Sequence, residues 1–189
     1  MANYGFERNQ LESMFNASLC RAGVVTGLSS SDKIPNGALV FADNTSALPS
    51  TIYGTADLNL QNFAKYAGSD DGAAYIVDSA DVNEVSDAAG NSYRVGDVLT
   101  SLEFPYDKAL RMRQLKVEDR FYIFDGNIAA GGTAPAAGVH LVPTTGSFLF
   151  TSQGSSPASG LDIQILAVLP LTAGLANLGS KYLVKVVSL

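Results

Sequence analysis

Histidine and cysteine each occur once in this chain, and tryptophan is absent. Each shortage removes a class of chemistry. A zinc site draws on three or four Cys and His ligands, and the chain holds two such residues in total, so zinc is excluded. Cys20 has no partner for an internal disulfide, which fits assembly in a reducing cytoplasm, and it reads as a small apolar core residue. A Ser-His-Asp triad would have to use His140, which sits between Val139 and Leu141 in a strand pattern, and no G-x-S-x-G elbow exists. His140 therefore reads as a strand histidine, on the surface or satisfied by its neighbours.

Charge is the next scarcity. Asp, Glu, Lys and Arg make up 16% of the residues, where a typical globular domain has about a quarter. Small residues are plentiful, so part of the surface is expected to be covered by other subunits or a partner. The balance of 12 basic to 18 acidic residues gives a net charge of −6, which repels the phosphates of nucleic acid. No apolar run reaches the ~18 residues that span a bilayer; the nearest, Ile163 to Leu178, is broken by Pro170 and Gly174. The opening M-A-N-Y-G-F-E-R-N-Q lacks the basic and apolar regions of a secretory signal. Neither nucleic acid nor membrane is expected as a partner.

Strands dominate what is present. Ile34-Pro-Asn-Gly-Ala-Leu-Val-Phe sets a turn signal before an apolar run. Ala73-Ala-Tyr-Ile-Val-Asp, Val139-His-Leu-Val, Ser147-Phe-Leu-Phe, Leu161 to Leu169 and Tyr182-Leu-Val-Lys-Val-Val are further strand-like runs. Residues 5 to 22 carry Phe6, Leu11, Met14, Phe15 and Leu19, a spacing that predicts a short amphipathic helix ending at Gly23, or an arm that docks on a neighbouring copy. Asp57 to Tyr66, with Leu58, Leu60 and Phe63, predicts a second short helix stopped by Gly68. The expected fold is mainly β, an antiparallel sandwich or barrel. Residues 1–33 form the arm or helix and 34–189 the β-rich domain, with a sub-boundary at the small-residue loop 129–138.

Two charge clusters carry what functional signal there is. Residues 70 to 87 hold Asp70, Asp71, Asp78, Asp81, Glu84 and Asp87 with no Lys or Arg. They lack the ligand order of an EF-hand, so they read as a solvated acidic face and no metal is expected. Residues 91 to 125 contain six of the twelve basic residues. Within them Leu110-Arg-Met-Arg alternates, Gln114 breaks the phase and Leu115-Lys-Val resumes it, which predicts a half-buried strand with a bulge. Leu110, Met112, Leu115 and Val117 then point inward, and Arg111, Arg113 and Lys116 face solvent. Val117-Glu-Asp-Arg turns the chain into Phe121-Tyr-Ile-Phe, which Asp125-Gly-Asn stops, so the whole reads as a hairpin. A basic stripe of Arg111, Arg113, Lys116 and Arg120 is either a solvent face or a contact for something acidic. The nearest acidic candidate is the 70 to 87 segment of another copy, with Asp70, Asp71, Asp78 and Asp81. Such exposed pairs are individually weak, ~0–1 kcal/mol, and set register more than affinity.

No phosphate-binding loop is present, and Gly131-Gly132 has no neighbouring lysine, so no cofactor is expected. The Asn-rich N-terminus, Ile34-Pro-Asn-Gly-Ala-Leu-Val-Phe, Tyr93-Arg-Val-Gly-Asp-Val-Leu and Leu115-Lys-Val-Glu-Asp-Arg-Phe together resemble, over residues 1 to 125, capsid decoration or cement proteins and other head-associated auxiliary proteins of tailed bacteriophage. The resemblance implies a non-enzymatic, β-rich virion protein on the outside of an icosahedral shell, often a trimer, that bridges capsomers. It implies the major capsid protein and further copies of the chain as partners, and no catalytic residues. Phe6, Leu11 and Phe15 of the arm and the basic stripe are the expected intersubunit contacts. A tail-tube, major-tail or head-fibre component, a β-barrel module for a small ligand or glycan, and a carboxylate-pair hydrolase are the alternatives.

Overall fold

The computed structural model describes residues 6–10, 16–46, 60–68, 73–78, 84–86, 92–94, 103–106, 109–173 and 176–189. In chain order the strands begin with β1 (Phe6–Gln10), β2 (Cys20–Val25), β3 (Lys33–Pro35), β4 (Leu39–Ala42) and β5 (Gln61–Ala64). β6 (Ala74–Val77), β7 (Glu84–Ser86), β8 (Ser92–Arg94), β9 (Glu103–Pro105) and β10 (Leu110–Gln114) follow. The last are β11 (Arg120–Phe124), β12 (His140–Pro143), β13 (Phe150–Gln153), β14 (Asp162–Ala173) and β15 (Ala176–Ser188). Helical residues among those described are confined to single 3-10 turns at Ala17–Leu19 and Asp125–Asn127.

The strands build two main bodies. β10, β2, β5, β4 and β6 close into a barrel, in which only β2 and β5 run parallel. The second body is a six-stranded antiparallel sheet in the order β1-β11-β15-β14-β12-β13. Two-stranded ribbons, β3-β9 and β7-β8, complete the topology.

β4 and β6 hold the bodies together. Val40, Tyr75 and Val77 pack inside the barrel, while Leu39, Phe41, Ala74 and Ile76 point the other way and join the core under the sheet with Phe121, Ile163 and Val184. Both strands are buried on both faces, which is why Leu39–Phe41 and Ala74–Val77 read as unbroken apolar runs instead of alternating ones. The turn before β4 matches its signal, with Ala38 N–H donating to the Pro35 carbonyl at 3.0 Å and Gly37 at φ +77°.

Among the described residues the barrel interior is a packed apolar core. Phe63 and Met112 are fully buried in it, and the Phe63 and Tyr75 rings meet edge to face with centroids 4.9 Å apart. Gly23 lets β2 approach β5: a Cβ there would lie 2.2 Å from Cε2 of Phe63 and 2.3 Å from the Gln61 carbonyl oxygen.

Three expectations need correction. Residues 6–10 and 20–25 are strands, not parts of a helix: Phe6 stacks on Phe121 at 5.5 Å as β1 pairs with β11, and β2 pairs with β10 and β5. Tertiary pairing outweighs the helical spacing of those apolar residues. The second helix is likewise absent at residues 61–64, where Phe63 fills the barrel from β5, while 57–59 lie outside the described residues. Residues 110–124 are not a hairpin, because β10 belongs to the barrel and β11 to the sheet. The turn between them carries the chain from one body to the other, fixed by the Lys116 N–H donating to Asp119 Oδ2 at 2.7 Å, with Glu118 at φ +77°.

The small-residue loop 129–138 has a defined place. It runs along the outer edge of β13, where Ala129 N–H donates to the Phe150 carbonyl at 2.7 Å and Thr133 N–H to that of Ser152 at 3.0 Å. Gly132 sits so close that a Cβ would be 2.4 Å from the Ser152 carbonyl oxygen.

Candidate functional site

The basic strand β10 alternates as expected, but the solvent is not where the alternation implied. Leu110 and Met112 enter the barrel, and Arg111, Arg113 and Leu115 lie on the opposite side, with Leu115 reaching the core under the sheet. Simple alternation accounts for all five positions, and the pairing of β10 with β2 and β6 runs without the bulge expected at Gln114. The outer wall of the barrel is itself covered here: Arg113 is 7% exposed, whereas Val117, expected inside, is 48% exposed.

Asp78, immediately after β6, is 2% exposed and faces both arginines. Arg113 Nε donates to its Oδ2, Arg111 Nη2 stands 3.5 Å from its Oδ1, and Arg111 Nε donates to its backbone carbonyl at 2.7 Å. The Asp78 N–H in turn donates to the Arg111 carbonyl at 3.0 Å. The acidic partner read from the sequence as belonging to another copy is, for Asp78, in the same chain. The rest of the stripe is dispersed: Lys116 lies in the connecting turn, and exposed Arg120 begins β11 opposite Gln10 and Lys185. Phe6 is buried against Phe121. Leu11, Phe15, Asp70, Asp71 and Asp81 lie outside the described residues.

A second buried carboxylate escaped the sequence reading. Asp162, at the start of β14, is fully buried; His140 Nδ1 on the adjacent β12 is 2.8 Å from its Oδ1 and 3.0 Å from its Oδ2. Ser156 Oγ donates to the same carboxylate at 2.7 Å and so pins the loop before β14. The hydroxyl meets the carboxylate and not the imidazole, so the relay of a nucleophilic triad is not what these three residues build. Only the break that Asp162 makes in its apolar run could have marked it.

Asp43 ends β4 with a third cluster. Its carboxylate accepts from Thr26 Oγ1 at 2.9 Å, Thr45 N–H at 2.9 Å, Thr45 Oγ1 at 2.7 Å, Ser46 N–H at 3.2 Å and the Ser46 hydroxyl. The Ser46 hydroxyl, then that of Thr45, hold the group ionised well below the ordinary carboxylate range. Asn36 is buried in the β3–β4 turn; its carbonyl accepts from Asn127 Nδ2 at 3.1 Å, while its own side-chain amide finds no partner among the described residues.

Clefts open at several places among the described residues. One of about 180 Å³ lies between Lys33, Lys65, Glu103 and Phe148, with Lys65 Nζ 4.9 Å from the Phe148 ring centre and Lys33 3.9 Å from Glu103. Another, of about 170 Å³, is lined by Tyr66, Val142, Gln153 and Ser159. A third, about 60 Å³, is apolar and sits between the bodies at Phe41, Leu115 and Leu189. No group of three or more His, Cys, Asp or Glu among the described residues is placed to hold a metal, and none of their helices is long and apolar enough to cross a membrane. Comparison with protein-family models, curated proteins and solved structures finds no match to this chain.

Proposed function

We propose that the chain is a non-enzymatic structural protein of a tailed-phage particle, decorating and stabilising the capsid through contacts with the major capsid protein and with further copies of itself. What supports this most is the use the fold makes of its polar groups. Asp78 is clamped by Arg111 and Arg113, and Asp162 by His140 and Ser156. These pairs lock one strand to the next, whereas catalysis calls for a group poised over an open site. The filled barrel favours assembly over storage of a small ligand or glycan inside it. Low overall charge and the resemblance noted above agree with a surface meant to be covered.

The test is binding to shells. Purified protein is mixed with capsids that lack it, pelleted, imaged and heated. Saturable binding at symmetry-related positions, with a rise in the temperature at which shells rupture, is the expected result. Hollow rods formed by the protein alone would move the assignment to the tail, and absence of binding at any concentration would remove it.

A further inference from the structure

The sequence holds one Asn-Gly pair, Asn36-Gly37, and the fold puts it where turns are seldom found. Every residue from Ile34 to Val40 is buried, Asn36 being 1% exposed. Turns ordinarily run over the surface, because their backbone groups need water or a partner. Here the partners are internal. The Gly37 N–H donates to the Val77 carbonyl at 3.0 Å and the Val77 N–H to the Ala38 carbonyl at 2.9 Å, which carries the β4–β6 ladder into the turn. The Asn36 carbonyl accepts from Nδ2 of the fully buried Asn127, in the 3-10 turn that follows β11. The turn is thus held from the barrel on one side and from the sheet on the other.

Asparagine before glycine has a chemistry of its own. Hydroxide takes the proton of the glycine N–H, and the nitrogen adds to Cγ of the asparagine side chain. The Cγ–Nδ2 bond then breaks, the leaving nitrogen takes a proton from water and departs as ammonia, and a five-membered succinimide remains. Water opens that ring at one of its two carbonyls. One opening gives an aspartyl residue, and the other an isoaspartyl residue whose main chain runs through Cβ and Cγ. Glycine favours the ring closure because it has no Cβ to crowd the attacking nitrogen.

We propose that Asn36-Gly37 is a modification site gated by unfolding, closed in the native chain and irreversible once used. Two features hold it shut. The Gly37 proton is engaged by the Val77 carbonyl, and the burial of residues 34–40 keeps hydroxide away from it. The reaction therefore proceeds only through states in which the turn and β4 have come away from β6. A third feature prevents return. Neither polar atom of the Asn36 side chain has a partner among the described residues, so a carboxylate formed there is buried with no cation or N–H to meet it. The isoaspartyl product adds a main-chain carbon as well, which shifts Gly37 off Val77 and Ala38 off Pro35. A chain that has opened and reacted is marked, and it cannot close the barrel again.

The test holds the full-length protein at mildly alkaline pH, folded in buffer and unfolded in guanidinium chloride, and follows it by mass spectrometry. The unfolded chain should gain about 1 Da at position 36, located in the tryptic peptide that begins at Ile34. The folded chain should do so at least ~100-fold more slowly, since a stable domain is open for a smaller fraction of the time than that. After a short hold, dilution from denaturant should return wild-type chains to the folded state. After a long hold the chains modified at position 36 should stay unfolded, while N36A and N36S, which lose no hydrogen bond and cannot form the ring, should refold equally well after either hold. Equal rates of mass gain in the folded and unfolded chain overturn the gate. Modified chains that regain the wild-type melting temperature overturn the irreversibility, as does a loss of refolding in N36A and N36S that matches the wild type.

Discussion

Strand β10, with two arginines in five residues, is largely buried, while β14, with one charge in twelve, runs out into a hairpin tip that only β15 accompanies among the described residues. β10 carries Arg111 and Arg113 on the outer wall of the barrel, yet Arg113 is nearly inaccessible because Asp78 has been brought against it. β14 carries no charge beyond Asp162, yet from Pro170 onward it pairs with β15 alone among the described residues, beyond the reach of β11. The difference teaches that a residue's own polarity does not fix its exposure. What decides is whether the topology supplies a partner: the residue after β6 supplies a carboxylate to β10, and among the described residues no third strand pairs with the tip of the β14–β15 hairpin.

The sharpest way to break that comparison is to remove the partner from β10. Arg113→Met leaves the Asp78 carboxylate buried with one of its two cations gone, and should cost about 3–5 kcal/mol in urea unfolding; adding D78N should recover much of it. A loss below about 1 kcal/mol for the single variant would mean that the pair is as weak as a surface one. Next in size, Gly23→Ala forces a methyl group into Phe63 and the Gln61 carbonyl and should cost about 1–3 kcal/mol, since the barrel closes through that contact. An unchanged unfolding midpoint would show that β2 can move away from β5.

Asp43 gives a smaller, pH-dependent effect. Its folded-state pKa is depressed, so its contribution is present above the ordinary carboxylate value of about 3.9 and is lost as pH falls through that value towards the folded one. Melting temperatures of the wild type and D43N should therefore differ at neutral pH and draw together progressively as pH falls below about 4 towards the folded value. A constant difference would deny the carboxylate its role. Smallest of all, V168T should leave the stability of the single chain within about 0.5 kcal/mol of wild type, because Val168 is 43% exposed on the sheet. A large loss there would mean that this position is covered within its own chain.

Much of the framework is readable in the residues. Pro35-Asn-Gly specifies the turn it makes, Asp125-Gly-Asn ends β11 where expected, and the strand runs at 74–77, 140–142 and 182–187 are real strands. Two kinds of information were not local enough to read. Phe6, Leu19 and Phe63 have helical neighbours in spacing, but Phe121 for the first and the barrel interior for the last decide otherwise. The buried charges depend on contacts between distant residues: Asp78 meets Arg113 across 35 positions and Asp162 meets His140 across 22, and no pattern within either segment announces its counterpart.

The small-residue loop along β13 has a further consequence. A sheet whose last strand is left bare can recruit any extended peptide, and a chain with so little charge has few means of repelling one. By laying Ala129 to Thr133 on that strand, and by keeping residue 132 without a side chain so that the backbones can touch, the fold covers part of that edge with its own chain. The run of glycine and alanine that looks like slack thus occupies the edge that an added strand would need.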